Sequence, residues 1–216
     1  MLSEFQRRVA SVVAGLPEAR GFALAGGAAL VVQGLTDRAT NDLDYFTTAP
    51  ADIPVLHAAL EHALAEAGFT VNVLRSSDTF VRLAVSDDEN QTLVDLAWDA
   101  RMLPPVATTV GAVLDQDELA ADKVLALFGR GEPRDFLDVY ALSQRLGLDR
   151  IVDLAQQKDA GFSAERLAES LGRFDRLDRA DFDTDAAFYR ELRAWVTQVR
   201  RSLEGRSPPK RRGRRL

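Results

Sequence analysis

Asp42 and Asp44 flank a single leucine in the run Asn41-Asp42-Leu43-Asp44-Tyr45-Phe46. The alternation reads as a strand, with Asp42, Asp44 and Phe46 on one face and Leu43 and Tyr45 on the other. Two carboxylates side by side repel, and a divalent cation between them is the usual remedy. Upstream, Gly26-Gly27 joins an apolar strand, GFALA, to a short apolar helix at 28–34. A glycine pair at such a junction lets backbone N–H groups approach a phosphate. Metal-binding carboxylates next to a phosphate cradle are the parts that phosphoryl or nucleotidyl transfer needs. Asp95 supplies a third acid, inside the apolar strand Leu93-Val94-Asp95-Leu96-Ala97. A charge there is costly without a partner, and a metal shared with Asp42 and Asp44 would provide one. Arg38, in the loop before the acidic pair, is a candidate phosphate contact. Each motif alone has a plain reading as a loop or a solvated turn. Their order along the chain is what points to chemistry.

The elements that must position these residues follow from periodicity. A helix is expected over 3–16, on the stripe Phe5, Val9, Val12, Val13 and Leu16. An amphipathic helix over 53–67 carries Ile53, Leu56, Leu60 and Leu64 and stops at Gly68. Three strands follow, FTVNVLR, TFVRLAVSD and TLVDLAW, the last two joined by a polar turn at Asp87 to Asn90. The first hundred residues thus read as a mixed sheet flanked by helices. Helices are expected at 117–129, 134–146, 149–158, 163–172 and 184–204. Trp98 and Trp195 are expected in the core. This divides the chain into an α/β core at 1–112, a helical region at 113–204 and a disordered basic tail at 205–216.

Composition narrows the chemistry. The 216 residues include no Cys and only two His, His57 and His62, five apart and off a common helix face. Disulfides, thiolate zinc sites, a cysteine nucleophile and a multi-histidine metal site are excluded. Carboxylate remains, which suits hard cations such as Mg²⁺. No apolar run approaches the roughly 18 residues of a membrane span. The first residues mix Glu4, Arg7 and Arg8 into the apolar stripe and lack a signal-peptide pattern, so a cytoplasmic protein is expected. The tail holds Arg206, Lys210, Arg211, Arg212, Arg214 and Arg215 and no acid, which leaves −12 on the rest against −6 overall. Such asymmetry accompanies polyanionic partners, and also plain solubilising tails.

Gly26-Gly27, Asp42-x-Asp44 and the later strand acid Asp95 together resemble the nucleotidyltransferase superfamily with the DNA polymerase beta-like fold. GGAAL followed by RATNDLDYF is similar to its AbiEii/AbiGii toxin branch, which includes the MenT-type toxins of type IV toxin–antitoxin systems. LAADKVLALFGRGEPRDFLDVYAL resembles the later motifs of that branch, a lysine in one helix and an Arg/Lys-Asp-x-x-Asp opening the next. The resemblance spans about Gly21 to Leu142. It implies Asp42, Asp44 and Asp95 as metal ligands, with Asp95 helping to deprotonate the attacking hydroxyl. It implies Lys123 as the contact to the triphosphate, and Asp135 and Asp138 as the late acidic motif, with Arg134 where a Lys is common. Gly27 stands where many members carry a serine, and Ala28 where Thr is frequent, so phosphate contact would rest on backbone N–H groups and cations.

The implied reaction moves an NMP from an NTP to an acceptor hydroxyl, with two Mg²⁺ ions. The implied acceptor is the 3′ end of tRNA, and the implied partner a cognate antitoxin. Two other readings stay open: an NMP-transferase with a protein acceptor, and a non-catalytic module that holds RNA or an antitoxin. On residue pattern alone, Lys123 is equally a solvated surface lysine. Arg134 and Asp138 are spaced as an ordinary i,i+4 helix pair.

Overall fold

The computed structural model describes residues 1–205. The tail from Arg206 to Leu216 lies outside the described residues. The chain forms two compact units that divide between Ala120 and Ala121.

The first unit is a mixed seven-stranded sheet with helices. Its strands are β1 (Phe22–Ala25), β2 (Asp42–Thr47), β3 (Thr70–Ser77), β4 (Phe80–Ser86), β5 (Gln91–Trp98), β6 (Val106–Thr108) and β7 (Gly111–Val113), in the order β3-β4-β5-β2-β1-β7-β6. Strands β3, β4 and β5 form an antiparallel meander, β5 runs parallel to β2, and β2 is antiparallel to β1. The hairpin of β6 and β7 joins in parallel to β1. It was not expected from the sequence, because three-residue strands carry no readable alternation.

Helices α1 (Glu4–Gly15), α2 (Gly26–Val32) and α3 (Asp52–Glu66) complete this unit. Ser3 caps α1 and forms a capping box with Gln6. The stripes of α1 and α3 are buried at Phe5, Val9, Val13, Ile53, Leu56, Leu60 and Leu64, and the two helices pack on β4 and β5, where Leu83, Val85, Val94 and Leu96 are buried. The period-two rule then places Asp42, Asp44, Asp95 and Arg82 on the other face of the sheet. Trp98 departs from expectation: it ends β5 and is 52% exposed, so it is not a core residue.

Helix α4 (Gln116–Gly129) crosses the division between the units. The second unit continues with α5 (Pro133–Leu146), α6 (Leu148–Lys158), α7 (Ala164–Leu171), two short 3-10 turns and α8 (Ala186–Glu204). Its core is aromatic. Phe136, Phe174, Phe182 and Tyr189 meet at centroid distances of 5.1–6.3 Å. Trp195 is half-buried, with its ring edge-to-face against Tyr140. No described helix is long and apolar enough to cross a membrane.

Candidate active site

Backbone pairing assembles the first group. Asp42 and Asp44 stand two apart on β2, both half-buried, and Asp44 lies opposite Asp95 in the parallel register with β5. One strand further, Arg82 on β4 lies opposite Asp95. Arg82 Nε and Nη2 donate to the two Asp95 oxygens at 2.8 and 2.6 Å. The guanidinium is held above its ordinary pKa, first by that hydrogen bond, with further contributions from the charges of Asp95, Asp44 and Asp42. The four side chains therefore share one electrostatic environment.

The start of β2 is secured by side chains. Gln6 Nε2 donates to the Thr40 carbonyl at 2.9 Å, and Thr40 Oγ1 donates to Asp42 Oδ1 at 2.8 Å. Gly26 has φ +60, and a Cβ there would stand 1.7 Å from Asp44 Oδ2. A Cβ on Gly27 would stand 2.9 Å from both Thr40 Oγ1 and Arg38 Nη2. The glycine pair thus provides clearance for Asp44, Thr40 and Arg38, a use the sequence reading did not foresee. Arg38 also donates to the Ala39 carbonyl at 2.9 Å.

Asp42 and Asp44 fit a hard divalent cation by their donor chemistry and by the bare backbone beside them. Asp95 differs from them in that each of its oxygens already accepts a hydrogen bond from Arg82, so a cation there would share the carboxylate with the guanidinium. Among the described residues no group of three or more His, Asp or Glu is arranged to hold a metal ion. The structure brings the three expected ligands onto one face of two neighbouring strands, with Arg82 bound to the third.

The second unit groups the later motif residues. Lys123 Nζ lies 2.8 Å from Asp138 Oδ2, with Lys123 7% exposed and Asp138 fully buried. The solvated reading of Lys123 is therefore excluded. Asp135 is also fully buried. It is the third residue of α5, it accepts from the Glu132 backbone N–H, and it takes both prongs of Arg130. All these bonds serve to cap and hold the helix start. Arg134 is exposed, with Nε 3.0 Å from Glu132.

A family model, nucleotidyl transferase AbiEii toxin of type IV toxin–antitoxin systems, matches residues 13–209. The chain belongs to the AbiEii nucleotidyltransferase toxin family. It is similar in fold to a candidate nucleotidyltransferase from Helicobacter pylori, at 18% identity over 93% of this chain and 92% of that one, with a TM-score of 0.59. JHP933 from Helicobacter pylori aligns at 20% identity over 94% and 95% of the two chains, with a TM-score of 0.56. MenT4, a nucleotidyltransferase toxin from Mycobacterium tuberculosis, aligns at 15% identity over 93% and 80%, with a TM-score of 0.58. No curated protein matches the chain by sequence. The expected mixed-sheet nucleotidyltransferase fold with a helical C-terminal region is thus found, and so is the AbiEii resemblance.

Within this AbiEii chain, sequence reasoning missed Arg82, Thr40 and Gln6. Arg82 had a readable signal. Counting outward from the Asp87–Asn90 turn pairs Arg82 with Asp95. Gln6 had none, because its contact spans 34 residues.

Proposed function

We propose that this AbiEii chain transfers an NMP from an NTP to an acceptor hydroxyl, releasing pyrophosphate, and that the acceptor is the 3′ end of a tRNA. The observation that carries the reading is the Asp42–Asp44 pair on one face of β2, with Asp44 seated on the bare backbone of Gly26. Asp42 and Asp44 would hold Mg²⁺, which in the two-ion form of this chemistry activates the acceptor and stabilises the leaving group. Thr40 fixes the Asp42 carboxylate by its hydroxyl hydrogen bond. Gly26 and Gly27 leave room for that geometry, and Arg38 offers a cation beside it.

In the second unit Lys123 is the cation proposed for the triphosphate charge, with Asp138 as its anchor. Asp135 and Arg134 are proposed in support of that pair, Asp135 by fixing the start of α5. Action on tRNA in the cytoplasm would block aminoacylation and growth, and a cognate antitoxin would restrain it. The division of labour proposed is a core at 1–112, a helical region at 113–204 and a basic tail that adds RNA affinity without chemistry.

The test incubates the protein with each labelled NTP, Mg²⁺ and total tRNA. Label in RNA that is lost in Asp42→Ala supports the reading. Label in protein instead moves the acceptor to a Ser, Thr or Tyr hydroxyl. No incorporation with any NTP, together with unimpaired growth on strong induction, overturns transfer altogether.

A further inference from the structure

The carboxylate row continues into a row of cations. Reading across the sheet from β2 to β3, the residues in register are Asp44, Asp95, Arg82 and Arg75. Arg75 reaches this face through an irregularity in β3. Asn72 pairs with Ala84 and Val73 with Leu83, but the next pair is Arg75 with Arg82, so Leu74 is an extra residue. A bulge of this kind re-aims the side chains that follow it. In a regular ladder Leu74 would stand opposite Arg82, and Arg75 would fall on the helix-covered face with Val81.

The bulge therefore places one arginine opposite another, and like charges in directly paired positions destabilise a sheet. Both guanidinium groups lie over Phe80, with the Arg75 and Arg82 guanidinium carbons 5.3 and 5.6 Å from its ring centroid. Asp95 takes Nε and Nη2 of Arg82 and leaves its Nη1 group clear of the ion pair. The Arg82 side chain remains 41% exposed, and Arg75 is exposed.

We propose that Arg75 and Arg82 form a backbone-phosphate subsite for a single-stranded polynucleotide acceptor, with Asp95 as the residue that positions Arg82. Strands lie about 4.8 Å apart. Arg82 and Arg75 thus spring from strands two and three places from Asp44; the Arg82 guanidinium reaches back to Asp95, while Arg75 carries the row outward over Phe80. A row that starts beside the Asp42–Asp44 pair and runs away from it suits the phosphates that trail behind a reacting hydroxyl. A polynucleotide has such phosphates and a protein acceptor does not. Guanidinium forks match phosphate oxygens, and an arginine pre-oriented by a carboxylate loses less freedom on binding. The inference rests on the transfer reading and adds the residues that would hold the acceptor's trailing phosphates.

The experiment measures binding of a fluorescein-labelled single-stranded oligoribonucleotide to the whole chain at several salt concentrations. Arg82→Gln is expected to weaken it about tenfold, the scale of one charge-assisted hydrogen bond. Arg75→Gln is expected to weaken it severalfold without affecting the fold, since its side chain is exposed. Each should lower the slope of log affinity against log salt by about 0.7. Asp95→Asn is expected to lose RNA affinity while keeping Mn²⁺ binding, and Asp42→Asn to lose Mn²⁺ binding while keeping RNA affinity.

Unchanged RNA affinity and salt slope in both folded arginine variants overturns the proposal. So does a loss of NTP affinity in place of RNA affinity, or loss of Mn²⁺ binding in Asp95→Asn. A protein that binds RNA through these arginines but never transfers a nucleotide leaves this subsite standing and removes the transfer reading.

Discussion

Asp44 rests on Gly26: its Oδ2 stands 1.7 Å from the point a Cβ would occupy, at a residue with φ +60. Gly26→Ala must therefore move the carboxylate and strain the backbone. The left-handed conformation alone costs roughly 1–2 kcal/mol for a residue with a Cβ. The expected outcome is a folded protein with lowered melting temperature, weakened Mn²⁺ binding and reduced transfer. Mn²⁺ titration followed by electron paramagnetic resonance checks it. Wild-type metal affinity in Gly26→Ala would show that the contact does not position Asp44.

Asp42→Asn separates chemistry from folding. Loss of a cation's transition-state stabilisation, several kcal/mol, corresponds to about a 10³-fold fall in transfer rate. Stability in metal-free buffer should hold or rise, since one of two facing charges is gone. Single-turnover assays and thermal melts with chelator measure the two effects. Wild-type transfer rates in this variant would remove Asp42 from the site.

Lys123 and Asp138 make a buried ion pair, so removing one partner strands the other. Lys123→Met is expected to destabilise the second unit by about 3–5 kcal/mol. Lys123→Met with Asp138→Leu should recover most of that loss, because the stranded charge is gone. Denaturant titrations of the singles and the double give the coupling. Recovery of stability without recovery of transfer would separate a chemical role of Lys123 from its packing.

Asp185 caps α8 by accepting from the N–H groups of Ala187 and Phe188, and these bonds hold its carboxyl below the usual aspartate range. A depressed folded-state pKa means that its contribution is complete above the unfolded value, about 3.9. It is lost as the pH falls through the folded value. Asp185→Ala should therefore melt below wild type at neutral pH, and the gap should close in strong acid. Melting curves across that range test it, and a gap independent of pH would exclude the cap charge as the cause.

Much of this arrangement was legible in the residues. The alternation of Asp42-Leu43-Asp44-Tyr45 specified which face carries acid, because strand side chains repeat every two residues whatever the strand pairs with. The apolar stripes of α1, α3 and α8 specified helices for the same kind of local reason. The motif order from Gly26 to Asp138 was enough to point to the AbiEii family.

What could not be read locally was partnership. Asp95 reads from sequence as a strand acid that needs a partner, but not that Arg82 supplies one, since both a metal and a guanidinium satisfy a buried carboxylate. Lys123 has the same helix position whether solvated or sealed, and its burial against Asp138 depends on how α4 and α5 pack. Arg75 lies on the carboxylate face because Leu74 bulges out of the pairing, in a ladder whose register depends on the neighbouring strand. Periodicity sets what each side chain can present. Strand pairing and helix packing, between residues distant in the chain, set what it meets.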